Sequence, residues 1–169
     1  TNSEVTFSAK TSVTKEANIT ALGAEGAIIS RHFDLIIADD LVNQENARTE
    51  TQRKKLETFF FQALMPCLEP EGSIHIVGTR YDHSDLYGGL METSYKETSL
   101  VEQAIQPDGT SLWEEKFPTS QLLEMRKEYG TANLAMQYQN DASLSKGEVF
   151  KEQWVQYYKK PPGFRYVYQ

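Results

Sequence analysis

Phe33-Asp34-Leu35-Ile36-Ile37-Ala38-Asp39-Asp40 is a short apolar run that ends in two adjacent carboxylates. A run of this length fits a strand buried on both faces, as in a parallel sheet. The carboxylates then sit at the carboxyl end of the strand, where open α/β sheets put their ligands. Clustered charges are costly unless something offsets them, and a divalent cation is the usual partner. Two readings follow for the stretch by itself. One is a Mg-binding strand end of a nucleotide-hydrolysing fold; the other is a buried strand followed by a solvated Asp-Asp turn.

Working forward, Asn43 is suited to cap a helix and Glu45 favours its first turn. Leu56, Phe59, Phe60, Ala63 and Leu64 recur at the spacing of one buried helical stripe, so a single helix is expected from about 44 to 64. Arg48, Arg53, Lys54 and Glu57 fall on its exposed side. Pro66 and Pro70 close the element, and Glu71-Gly72 are expected to turn. Ser73-Ile74-His75-Ile76-Val77-Gly78-Thr79-Arg80 then reads as a second strand. Strand, helix and strand in this order make a βαβ unit with a right-handed crossover. Both strands end on one edge of the sheet, which brings Asp39, Asp40, Thr79 and Arg80 together across about 40 residues of sequence.

Working backward, residues 5–9 and 17–22 alternate and predict two strands, with a turn near Thr14-Lys15-Glu16 and a loop punctuated by Gly23 and Gly26. Beyond Arg80, Asp82 or Ser84 is the expected cap of a short helix through Leu86, Leu90 and Met91. Residues 100–105 read as a strand, Pro107-Asp108-Gly109 as a turn and 111–113 as the return strand. Pro118-Thr119-Ser120 opens a helix that Gly130 ends, and a second follows over about 131–140. Residues 141–147 are a polar loop, 153–158 a short aromatic segment, 159–163 a linker and 164–168 the start of another strand.

Of the 169 residues, 39% are apolar and 24% charged, a globular balance that excludes a disordered chain. No apolar run approaches the length of a membrane span, and no signal-peptide pattern is seen. The single cysteine, Cys67, excludes an internal disulfide and suits a reducing cytosol. The net charge of −7 is unlike that of a free-standing nucleic-acid binder. Any grip on DNA is therefore local or belongs to another part of an assembly. Arg53-Lys54-Lys55 is the one compact basic cluster, and its plain reading is a solvated helix face.

Ile36-Ile37-Ala38-Asp39-Asp40 follows the logic of a Walker B strand, in which the first carboxylate holds Mg and the second orients the attacking water. Val77-Gly78-Thr79-Arg80 fits a sensor or coupling motif in which a hydroxyl reads the phosphate state; a strand end followed by a turn is the alternative. Arg31 is either an arginine finger towards a neighbouring subunit or an ordinary exposed arginine. His75 reads as a core or sheet-face residue. His32, His83 and Cys67 lack zinc-ligand spacing. No G-x-x-x-x-G-K-[ST] phosphate loop occurs, and Gly23-Ala24-Glu25-Gly26 is not followed by Lys-Ser/Thr.

Taken together, the segments 31–42, 76–80, 83–88, 113–118, 128–130 and 137–140 resemble the large terminase subunit of tailed bacteriophages. The likeness covers most of residues 20–158. It implies an ATP-driven motor that threads double-stranded DNA into a procapsid, with an N-terminal P-loop ATPase domain and a C-terminal nuclease domain of RNase H type. Asp39 matches the Walker B aspartate and Asp40 the catalytic acidic position, while Gly78, Thr79 and Arg80 match the coupling motif. The implied ligands are ATP and Mg. The implied partners are DNA, the portal protein, the small terminase subunit and further copies in a ring, in the cytoplasm of a bacterial host.

The same likeness places the Walker A loop upstream of Thr1 and the nuclease carboxylates after Tyr168. Residues 1–110 then correspond to part of the ATPase domain, 111–160 to the helical segment joining it to the nuclease, and 161–169 to the approach to the first nuclease strand. The expected fold class is α/β, a partial P-loop sheet with a small α-rich appendage. On this basis the 169-residue chain hydrolyses no ATP by itself. Two other functions compete: a non-enzymatic assembly module, and a metal nuclease built on Asp39, Asp40, His83 and Asp85.

Overall fold

A computed structural model describes residues 3–11, 16–24 and 28–144. The expectations for Gly26, for 14–15, for 145–147 and for everything from 153 onward, including the nuclease approach at 161–169, lie outside the described residues.

The chain is mixed α/β. Strand β1 (Ser3–Val5) pairs antiparallel with β2 (Ile19–Ala21). Strand β3 (Phe33–Asp39) pairs parallel with β4 (Leu68–Val77), with Ile36 opposite Ile74 and Asp39 opposite Val77. The crossover between them is helical, so the βαβ unit read from the sequence is present.

That crossover is not one helix. Helix α1 (Gln44–Ala47) and helix α2 (Glu50–Phe59) are separated at Arg48-Thr49. Asn43 and Asn46 form a reciprocal capping box at the start of α1, with Asn43 Oδ1 accepting from the Asn46 amide at 2.9 Å. Thr49 is extended and its hydroxyl accepts from the Gln52 amide, which restarts the helix. The apolar period runs through this break and hides it. After α2 the chain widens into a π-type turn over Phe60–Leu64, where the Met65 amide donates to Phe60 O, and then tightens over Met65–Cys67.

The stripe itself is as expected: Leu56, Phe60 and Leu64 are buried, and Phe60 is fully so. They join Ile36, Ala38, Val42, Ala47, Cys67, Leu86, Tyr87 and Leu90 in one core. The Cys67 thiol lies in this core, donating towards Ile28 O and Ala63 O.

Three local expectations are corrected. Glu71-Gly72 do not turn; they lie inside β4. Phe33 faces Leu68 and Leu35 faces Ser73, so the extra residues of β4 bulge between these two pairs. A Cβ on Gly72 would stand 2.9 Å from both Asp34 O and Glu69 O, so the bulge needs a glycine at this close approach. Strand β3 is covered on one face only: Ile36 and Ala38 are buried, whereas Leu35 and Ile37 are exposed. And residues 100–105 form no strand. Only Ile105 bridges to Ser111, and the Ala104 and Ile105 amides bond instead to Tyr138 O and Gln139 Oε1, each at 2.7 Å. The Pro107-Asp108-Gly109 turn is present, with Gly109 at φ +85°.

Helix α3 (Leu86–Met91) follows β4. Helix α4 (Thr119–Tyr129) and helix α5 (Thr131–Gln139) form a hairpin about Gly130, whose φ of +82° a residue with a Cβ would resist. Leu122, Leu134 and Ala135 are buried there, outside the main core. No helix among the described residues is long and apolar enough to cross a membrane.

Candidate functional site

The parallel register brings two strand ends to one edge. Asp39 closes β3 opposite Val77, the last residue of β4, and the Asp40 amide donates to Val77 O at 3.0 Å. Gly78 and Thr79 follow directly. Asp40 has φ +48°, a left-handed conformation that a non-glycine residue adopts only where its surroundings hold it. Asp39, Asp40 and Gly78 are exposed and Thr79 is half-buried.

The two ends open onto different grooves. Asp39 and Asp40 line one of 520 Å³ beside the free edge of β3, together with Ala21, Leu22 and Asn43. Gly78 and Arg80 line another of 470 Å³ beside the free edge of β4, whose far wall is Thr98, Ser99, Leu100 and Val101.

Arg80 turns away from the acidic pair. Its Nε lies 2.9 Å from Asp85 Oδ1, an ion pair too bent to count as an aligned hydrogen bond. Its Nη2 donates to Asp82 O and His83 O. The guanidinium fills the space over Gly88, where a Cβ would stand 2.7 Å from Nη2. Asp85, 2% exposed, accepts from the Tyr81, Asp82 and Gly88 amides and is the true N-cap of α3, in place of Asp82 or Ser84. Asp82 is instead buried against Arg53, 3.5 Å away. Arg53 therefore does not belong to a solvated basic face; it also donates to Ala47 O at 2.7 Å and so closes the end of α1. Lys54 pairs with Glu50 one turn back on the surface.

Arg31 is not brought to this edge. It precedes the opposite end of β3, roughly 25 Å along the strand from Asp39 at about 3.3 Å per residue. Its guanidinium pairs with Glu4 of β1 at 2.7 Å. His75 lies exposed on the open sheet face.

Tyr87 is the residue at this edge that sequence reasoning missed. Its hydroxyl donates to Val77 O and accepts from the Val42 amide, each at 3.3 Å, so one phenol spans the two strand ends. Burial holds the phenol above its ordinary titration range, and the nearby Asp40 charge pushes the same way. The signal in the sequence was Gly78, whose missing side chain makes room for the ring.

Among the described residues no three His, Cys, Asp or Glu side chains are placed to hold a metal ion together. The chemistry open to Asp39 and Asp40 is that of two adjacent hard oxygen donors. They suit hydrated Mg, which keeps most of its waters and takes few protein ligands. The described residues include no phosphate-cradling loop. No known protein family matches the chain, and no curated protein does.

Proposed function

We propose that this chain belongs to a viral DNA-packaging motor of the terminase large-subunit type, with residues 1–110 part of its ATPase domain, on a sheet of the P-loop kind, residues 111–160 the segment joining ATPase to nuclease, and 161–169 the approach to the nuclease. The observation that carries this reading is the parallel register that sets Asp39-Asp40 beside Gly78-Thr79 at one sheet edge. The left-handed backbone at Asp40 adds to it.

In this reading Asp39 would hold a Mg ion. Asp40 orients a water molecule and takes its proton. The Thr79 hydroxyl, on the neighbouring strand end, senses the terminal phosphate. When bound, Mg neutralises the charge on the β- and γ-phosphates. Arg80 acts one step back, fixing the 80–88 segment through Asp85 rather than touching nucleotide. Arg31, paired with Glu4, acts on a neighbouring copy only if that pair opens. The phosphate cradle comes from chain outside residues 1–169, and the groove beside β4 leaves an open edge next to Gly78. DNA, portal protein, small subunit and a ring of copies are the partners of the whole motor.

A stand-alone metal nuclease on Asp39, Asp40, His83 and Asp85 is a weaker reading. Asp85 spends its carboxylate on the Tyr81, Asp82 and Gly88 amides and on Arg80.

The test is Mg-dependent ATP hydrolysis. The 169-residue chain is expected to show none. Joined to an upstream polypeptide bearing a Gly-Lys-Ser/Thr loop, it is expected to hydrolyse ATP, and Asp40→Asn to lower kcat by about a hundredfold or more, the scale of losing a positioned catalytic group. Hydrolysis unaffected by Asp40→Asn would end this reading.

A further inference from the structure

Asp40 is held in its left-handed conformation from both sides. Before it, its own amide donates to Val77 O. After it, the Val42 amide donates to the Tyr87 hydroxyl, which in turn donates to the same Val77 O. A single carbonyl at the end of β4 thus takes two donors, one from the acidic turn and one from the tyrosine. The tyrosine is itself immobilised. It is 9% exposed, and its ring lies where a Cβ on Gly78 would be, 2.2 Å from the hydroxyl. The first turn of α3 that carries it is locked by the Asp85 cap and by Arg80.

We propose that Tyr87 is a positioning residue for the acidic turn: its hydroxyl, bridging Val42 and Val77, keeps Asp40 in the backbone conformation that aims its carboxylate. The consequence for hydrolysis rests on the ATPase reading above; the structural bridge does not. A left-handed aspartate costs about 1–3 kcal/mol and persists only where the surroundings over-determine it. Losing one of two anchors lets the turn relax without unfolding the sheet. The groups facing the phenol are the Asp40 and Asp85 carboxylates and the Val42 and Leu41 amides.

Tyr87→Phe keeps the ring and removes the bridge. In the 169-residue chain, hydrogen exchange followed by NMR is expected to speed up about tenfold at the Asp40 and Val42 amides, the order expected for one lost neutral hydrogen bond. The amides of α2 are expected to be unchanged. The Tyr87 ring carbon next to the hydroxyl, labelled with carbon-13, is expected to titrate at lower pH in Asp40→Asn than in the parent. Gly78→Ala, which keeps the tyrosine but drives its ring aside, is expected to give the same exchange pattern, and it serves if Tyr87→Phe folds poorly.

In the chain joined to its phosphate-binding partner, Tyr87→Phe is expected to lower kcat roughly tenfold with KM within twofold, since a turn that is only misaligned still binds. Unchanged exchange at Asp40 and Val42 in both variants would overturn the proposal, and so would a uniform rise in exchange over the whole chain. If exchange changes as expected but Asp40→Asn leaves hydrolysis intact, the positioning role stands and the ATPase reading falls. If Asp40→Asn abolishes hydrolysis while Tyr87→Phe changes neither kcat nor exchange, the reverse holds.

Discussion

Both faces of β3 are apolar in sequence, and the two faces of the β3–β4 pair differ sharply in structure. On one face Ile36, Ala38, Ile74 and Ile76 meet Leu56, Phe60 and Leu64 from the crossover. On the other, Leu35, Ile37 and Val77 stand 50, 66 and 59% exposed, with His75 among them. A crossover joining two parallel strands can lie on only one face of them. Covering the second face takes another layer, which the described residues do not supply. Apolarity is thus a property of the run, while coverage is a property of the topology. The Asp39-Asp40 edge is shared by both faces, so its shape depends on the register that decides which residues go to which side.

The covered face is broken most severely at Phe60. Phe60→Ala is expected to cost about 3–5 kcal/mol in denaturant unfolding, because a fully buried ring leaves a cavity. A loss below about 1 kcal/mol would show that the crossover stripe is not the core that sets the two faces apart.

Gly72 comes next. A side chain there meets Asp34 O and Glu69 O, two backbone atoms that cannot swing away, and Leu68 Cδ1 at 2.8 Å. Gly72→Ala is expected to cost about 1–3 kcal/mol through overpacking. It also tests the register directly, since a slip of one residue would exchange the two faces of β4. Retention of the Ile36–Ile74 contact in the variant, read by NMR, would show that the bulge can rearrange without that exchange.

Legibility follows the range of the interactions. The βαβ unit, the stripe through Leu56, Phe60 and Leu64, the α4–α5 hairpin at Gly130 and the Gly109 turn all rest on local period or local φ, and all were readable. The break at Thr49 was not, because the apolar period continues across it. Residues 100–105 looked like a strand by composition, but the Ala104 and Ile105 amides donate to the end of α5 some 34 positions later, and only Ala104 O, accepting from the Leu112 amide, bonds to the return segment. Arg53 looked like surface by its helical phase and is drawn in by Asp82, a partner from beyond β4. At the candidate site, topology alone predicts that Asp39, Asp40, Thr79 and Arg80 meet; the two strand ends do lie side by side, but the Arg80 guanidinium goes to Asp85 instead. The inward turn of Arg80 and the Tyr87 bridge needed side chains from a helix the sequence had capped with the wrong residue.

The smallest expected effect is the sharpest test of the two faces, because it can be made within one dipeptide. Ile36 and Ile37 are neighbours with the same side chain, one buried and one two-thirds exposed. Threonine keeps the β-branch and the strand preference, so the backbone cost of either substitution is small. At Ile36 the new hydroxyl enters the core without a partner and is expected to cost about 1–3 kcal/mol. At Ile37 it meets water in both folded and unfolded states, and the expected cost is below about 0.5 kcal/mol. Equal costs at the two positions would mean that the outer face is covered in solution. Repeating the Ile37→Thr measurement over a range of protein concentration would then show whether a second copy of the chain does the covering, because only that cover weakens on dilution.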